Sequence, residues 1–103
     1  PVLVLIVSEP PTLQAKIGGL VKQKPYHLFD IGIAAEHLCL QATEEGLGSC
    51  MLGWFNEGGV KKLLRIPRYR RVELIITLGY PQTDEIRKKT RKEYGEIVSF
   101  NSY

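Results

Sequence analysis

Apolar residues along Asp30–Phe55, DIGIAAEHLCLQATEEGLGSCMLGWF, first follow the period of a helix and then lose it to glycines. At about 100° per residue, Ile31, Ala34, Ala35, Leu38 and Ala42 share one narrow stripe, while Ile33 and Leu40 fall nearly opposite. A helix apolar on two sides belongs between two layers, or between a core and a partner subunit. Asp30 is the expected N-cap, its carboxylate accepting from free amides of the first turn. Gly46 is expected just past the end, where glycine takes the left-handed conformation at least cost. The helix therefore runs from about Leu28 or Asp30 to Glu45, with Gly32, Ala34 and Ala35 keeping its first turns thin. Gly46, Gly48 and Gly53 then bracket Leu47, Ser49, Cys50, Met51 and Leu52. On spacing alone this is a tight helix-to-strand connection.

The flanking patterns are shorter. Val2–Val7 is a continuous apolar run between Pro1 and Ser8-Glu9-Pro10-Pro11, which predicts a strand buried on both faces and central in its sheet. Pro10, Pro11, Gly18 and Gly19 break the region from Glu9 to Lys24, leaving room for a short helix near Thr12 to Ile17. Asn56 is the expected cap of a second helix, NEGGVKKLLRI, with Glu57 in its first turn and Pro67 ending it. Val72–Leu78 predicts the next strand, with Leu74 to Ile76 buried, Glu73 and Thr77 partly exposed, and Gly79-Tyr80-Pro81 closing it. Asp84–Lys92 reads as a helical turn or an extended basic arm. Tyr94–Tyr103 is a tail whose Ile97, Val98 and Phe100 suit an added strand or a wrap around another subunit.

Composition narrows the class. At 103 residues the chain has room for one domain with a modest core, and 44% hydrophobic with 24% charged residues excludes disorder throughout. The opening VLVLIV is too short for a membrane span or a signal peptide. A start at Pro1 rather than methionine points to a segment upstream. Cys39 and Cys50 form no disulfide framework, so Cys39 reads as a buried thiol, both cysteines are expected free, and the cytoplasm is the expected compartment. Charge is uneven: residues Val60–Lys92 hold eleven of the fourteen Lys and Arg but three of the eleven acids, a local +8 against −5 elsewhere. That asymmetry calls for an anionic partner.

Taken in order, DIGIAAEHLCLQATEEGLGSCMLGWF, the charged helix, LLRIP, VELIITLGYP and the basic KKTRK resemble the C-terminal half of a nitroreductase. The resemblance covers nearly the whole chain. It implies an α+β fold, nitroreductase-like but partial, with an antiparallel or mixed sheet packed on a long central helix. It also implies FMN as cofactor, NAD(P)H as co-substrate, a small aromatic acceptor such as a nitroarene or quinone, and an intertwined homodimer. The family's opening Arg-Arg-Ser-x-Arg type motif, which grips the flavin, is not among these residues. Either the chain is a fragment or half of a site is lost, and weak FMN binding by these residues alone is the expectation.

The resemblance also assigns residues. Met51, Leu52 and Gly53 would lie along the flavin ring, a backbone N–H there donating to its reactive nitrogen. Lys89 and Arg91 would bind the FMN phosphate, for which a bidentate guanidinium and a mobile ammonium are suited. Without the resemblance, Lys89 and Arg91 read as a solvated basic face, with Arg87 and Lys88 on the surface in either case. His37 and His27 lack a carboxylate constellation and read as structural histidines. Cys50 has no ligand cluster, no metal site is expected, and Trp54 and Phe55 read as core or interface residues or as a pocket mouth. No nucleophile with a base appears, which suits a cofactor carrying the chemistry and leaves no catalytic side chain to name. The rival reading is a small basic module that uses Arg68, Tyr69, Arg70, Arg71 and the Arg87–Lys92 run on nucleic acid. It lacks a recognisable reading motif and is the weaker of the two.

Overall fold

Val72–Leu78 is the most densely apolar run that also alternates with polar residues, and the structure puts it at the centre. The computed structural model describes residues 1–10, 17, 25–83, 85 and 88–103. Their elements are β1 (Val2–Ser8), α1 (Tyr26–Glu44), β2 (Gly48–Leu52), α2 (Glu57–Leu64), β3 (Arg71–Gly79) and α3 (Tyr94–Ile97). The three strands form one antiparallel sheet in the order β1-β3-β2. In β3, Val72, Ile75 and Ile76 are buried, Ile76 completely. Neighbouring residues of a strand point to opposite faces, so burial of both Ile75 and Ile76 means the sheet is covered on both sides at its middle.

β1 departs from expectation. It is an edge of this sheet, not its centre, pairing only with β3 from Val2↔Leu78 to Ser8↔Arg71, with an irregularity between Ile6 and Val7. A continuous apolar run reports that side chains seek cover, and it says nothing about how many strands flank it. Val2 and Leu3 are exposed and Val4–Val7 half-buried. Leu74, expected buried, is half-buried.

The long helix starts earlier than the sequence reading placed it. Pro25 stands at the N-cap position and Asp30 lies inside α1, so the carboxylate of Asp30 caps nothing. Proline's fixed φ suits a helix entry, and Tyr26 and Phe29 meet edge-to-face with centroids 6.2 Å apart across the first turn. The other end is as expected. Gly46 has φ 72°, its N–H donates to Thr43 O at 3.0 Å, and Leu47 N–H donates to Ala42 O at 2.8 Å. Those two bonds are the Schellman pair. Ala35 and Ala42 are buried, Ile31 and Leu38 half-buried, and Ile33 and Leu40 exposed, so one apolar side faces in and the other is open. Cys39 is half-buried rather than buried, and both cysteines are free.

Glu57 ties α2 to the sheet. Asn56 caps the helix, its Oδ1 accepting from Gly59 N–H at 3.0 Å. One turn in, Glu57 Oε1 pairs with Lys61 Nζ at 2.7 Å and accepts from Val72 N–H at 3.0 Å. The Lys61 hydrogen bond, then the Val72 amide, holds the Glu57 carboxyl below its ordinary value near 4.5. A depressed carboxylate stabilises the fold above its unfolded pKa and loses that contribution as pH falls through the folded value. Glu57→Gln is therefore expected to lower the urea midpoint at pH 7, and its gap from wild type is expected to close below roughly pH 4. A gap independent of pH between 7 and 3 would show that the charge of Glu57 is idle.

At the C-terminal side, the tail adds no strand among the described residues. Tyr94–Ile97 forms α3, opened by a reciprocal capping box between Glu93 and Glu96, and Ile97 and Phe100 are exposed. The arm before it, from 88 to 93, has no regular secondary structure, and the helix expected near Thr12 to Ile17 lies outside the described residues apart from Ile17. The radius of gyration is 17.6 Å, against roughly 13 Å for a compact chain of this length. Only Ala35, Ala42, Val72, Ile75 and Ile76 form the buried core among the described residues. This chain leaves much apolar surface uncovered.

Candidate functional site

The end of β2 is fixed by its neighbours and open to its surroundings. The Schellman turn reverses the chain at Gly46 and delivers it to Gly48, which opposes Gly79. The ladder then sets Met51 opposite Ile76 and Leu52 opposite Ile75, the two residues buried on opposite faces of β3. Backbone at 51 and 52 is thus anchored to the best-packed part of the molecule. β2 is an edge, so one side of its backbone offers N–H and C=O groups that the described sheet does not use. Met51 and Leu52 are 42% and 38% exposed. A Cβ built on Gly53 would meet nothing within 4 Å, so a planar ligand could approach the main chain there.

Next to this rim stands Trp54, 99% exposed, while Phe55 is half-buried. Trp54 is therefore not part of this chain's core. Its side chain is available to whatever covers the rim. A fully exposed tryptophan is a signal that the sequence alone could not give.

Lys89 and Arg91 lie on the irregular arm after β3 and are exposed. Among the described residues neither takes part in a salt bridge or a side-chain hydrogen bond. No bond joins them to Met51, Leu52 or Gly53. The structure thus brings Met51, Leu52 and Gly53 together as one rim and, among the described residues, gives the two cations no partner. Backbone donors and uncommitted cations are the types of group a flavin ring and a phosphate need, and they fit that cofactor in kind.

The histidines are accounted for separately. His37 Nδ1 donates to Ile33 O of its own helix at 2.9 Å, the satisfied role expected for it. His27 lines a cleft of about 210 Å³ with Ser8, Arg71 and Glu73. There the Ser8 hydroxyl donates to Glu73 Oε1 at 2.7 Å, so the serine is committed to a carboxylate and not activated by a base. The described residues contain no group of His, Cys, Asp and Glu that could hold a metal ion. No helix among them is long and apolar enough to cross a membrane.

A small antiparallel sheet, a long helix feeding its edge strand through a glycine turn, and an open backbone rim define an α+β scaffold suited to a flat cofactor. The family model for the nitroreductase family matches residues 1–80. An iodotyrosine deiodinase from Thermotoga neapolitana is 32% identical over all 103 residues, which correspond to 47% of that protein. A solved nitroreductase family protein from Clostridium novyi NT is 36% identical with a TM-score of 0.68, over 82% of this chain and 45% of its own. An FMN-dependent nitroreductase from Clostridium difficile is 26% identical with a TM-score of 0.67, over 98% and 57%. The chain belongs to the nitroreductase family. It spans about half the length of most of these relatives. The rival reading as a basic nucleic-acid module gains no support from the fold or from these relatives.

Proposed function

We propose that these residues form part of an FMN-dependent oxidoreductase that takes hydride from NAD(P)H and passes two electrons to a nitroarene- or quinone-like aromatic acceptor. Family membership and a relative named as an FMN-dependent nitroreductase support the flavin. The observation that carries the reading is the anchored, open backbone at Met51–Gly53. FMN bound there would supply reversible two-electron chemistry that no side chain of this chain provides.

The chain's own contribution is then positional and electrostatic. A main-chain N–H at Met51–Gly53 would donate to the ring, stabilising negative charge without any side-chain proton to manage. Met51 and Leu52 would pack against its apolar edge. Lys89 and Arg91 would hold the phosphate, Arg91 with two parallel donors and Lys89 as a point charge. Aromatic acceptors need only stack and be oriented, which excludes water from the reacting face.

We also read the protein as a cytoplasmic homodimer of one-domain subunits. Ile33 and Leu40 on α1, and Ile97 and Phe100 near the C-terminus, are exposed apolar groups that a second copy would cover. Sedimentation is expected to give a dimer at micromolar concentration. A stable folded monomer under those conditions contradicts the assignment. The functional test is purification without added flavin, then FMN titration and turnover with NADH and NADPH. Nitroarene, quinone and iodotyrosine arms separate the acceptor classes, the last because of the deiodinase relative. Because these residues alone are expected to bind FMN weakly, the decisive sample is a longer chain that also carries the family's opening motif. One that neither binds FMN nor reduces any of the three sinks the proposal.

A further inference from the structure

The basic end of α2 forms a concave site that the flavin reading does not use. Lys61, Lys62, Arg65 and Arg68 line a cleft of about 670 Å³ that runs from Gly58 to the turn after the helix. No carboxylate lines it, and the neighbouring Glu57 is occupied by Lys61 and the Val72 amide. Lys62, Arg65 and Arg68 take part in no ion pair among the described residues. Three uncommitted cations therefore face one hollow of the size that small organic ligands occupy.

Part of this charge has a local explanation. Lys61 and Lys62 sit in the last turn of α2, where cations oppose the helix dipole. Arg68, beyond Pro67, has no such role, and Arg65 runs against local preference. Arg65 holds φ 56°, the left-handed conformation in which glycine is the economical residue, while Ile66 N–H closes the turn on Lys61 O at 2.9 Å. The chain thus carries a guanidinium at a position where the backbone conformation favours glycine. Backbone strain beside a concave charged surface is the observation that directs attention to a ligand.

We infer that this cleft binds the diphosphate group of a small organic phosphate, with Lys62, Arg65 and Arg68 as its ligands. Arg65 and Arg68 can each engage phosphate oxygens through two parallel donors, and Lys62 adds a mobile charge. The site rests on α2 and its turn, independently of Met51–Gly53, Lys89 and Arg91. All three cations are exposed, so binding is weak and salt-dependent, in the range of metabolite sensing rather than cofactor retention.

The experiment titrates pyrophosphate into the full chain in its native assembly, following backbone amide shifts and flavin absorbance together. Saturable shifts confined to Gly58–Arg68 are expected, with ADP competing for the same site. Affinity is expected to fall roughly five- to tenfold in Lys62→Ala/Arg68→Ala, the loss of two exposed ion pairs. Arg65→Gly is expected to lose affinity while its Tm stays level or rises, since glycine relieves the left-handed turn. Lys88→Ala/Lys92→Ala, outside the cleft, is expected to bind as wild type does. Unsaturated shifts spread over all basic residues, wild-type affinity in either cleft variant, or no competition by ADP overturns the inference. Loss of flavin absorbance without shifts in Gly58–Arg68 overturns it too, because pyrophosphate would then be occupying the cofactor's phosphate site.

Discussion

Ile76→Ala is expected to lower the unfolding free energy by about 2–5 kcal/mol. Ile76 is the largest side chain with no exposure, at the middle of the only strand that has two neighbours among the described residues. It stands opposite Val4 of β1 and Met51 of β2, so the cavity left by truncation opens where the whole sheet is joined. A domain stable by roughly 5–15 kcal/mol would lose a large fraction of its margin. Urea unfolding of the two proteins gives the difference directly. Leu38→Ala provides the contrast. Leu38 lies on the apolar stripe of α1 but is half-buried in the single chain, so about 1–2 kcal/mol is the expected loss. A larger loss for Leu38 than for Ile76 would place the structural centre on α1 instead of β3.

In a longer chain that also carries the family's opening motif, replacing Lys89 and Arg91 together by alanine is expected to weaken FMN about a hundredfold. Hydrogen bonds to charged groups contribute roughly 1.5–3 kcal/mol each, which for two residues brackets a loss of about two to four orders of magnitude. Both side chains are exposed, and solvent screening puts the effect at the lower end of that range. Because neither touches the core, the cost to stability is expected to stay within about 0.5 kcal/mol. Flavin fluorescence at fixed salt measures the affinity, and thermal unfolding of the flavin-free protein checks the fold. Equal FMN affinity in wild type and variant removes both residues from the phosphate site. A matching loss of stability would instead assign them a structural role that their exposure does not suggest.

Local signals were readable where the physics is local. Asn56 caps α2 through a bond three residues away, and Gly46 ends α1 in a left-handed turn, both determined by near neighbours. The start of α1 is not legible in the sequence because Pro25, Tyr26 and Phe29 make an entry without a polar cap, whereas Asp30 offers a conventional one. The six apolar residues of β1 read as a strand flanked on both sides, yet strand order depends on distant partners, and β1 is an edge. The contacts that organise the sheet's end were invisible for the same reason: Glu57 reaches Val72 and Ser8 reaches Glu73, 15 and 65 positions away. Within the site, the glycines around Met51 were legible, but not that β2 would be an exposed edge, nor that Trp54 would stand free. Resemblance alone singles out Lys89 and Arg91, and among the described residues neither takes part in a salt bridge.

In the proposed reading, the open end of β2 faces the flavin. Amide hydrogen exchange of the protein with and without FMN tests it most directly. Because an edge strand has main-chain groups outside the ladder, its amides exchange readily until a ligand covers them. FMN is expected to slow exchange at Met51–Gly53, and to a smaller degree around Lys89–Arg91, while Val72–Ile76 stays protected in both states. Saturating FMN that leaves Met51–Gly53 exchanging at the free rate would contradict the account.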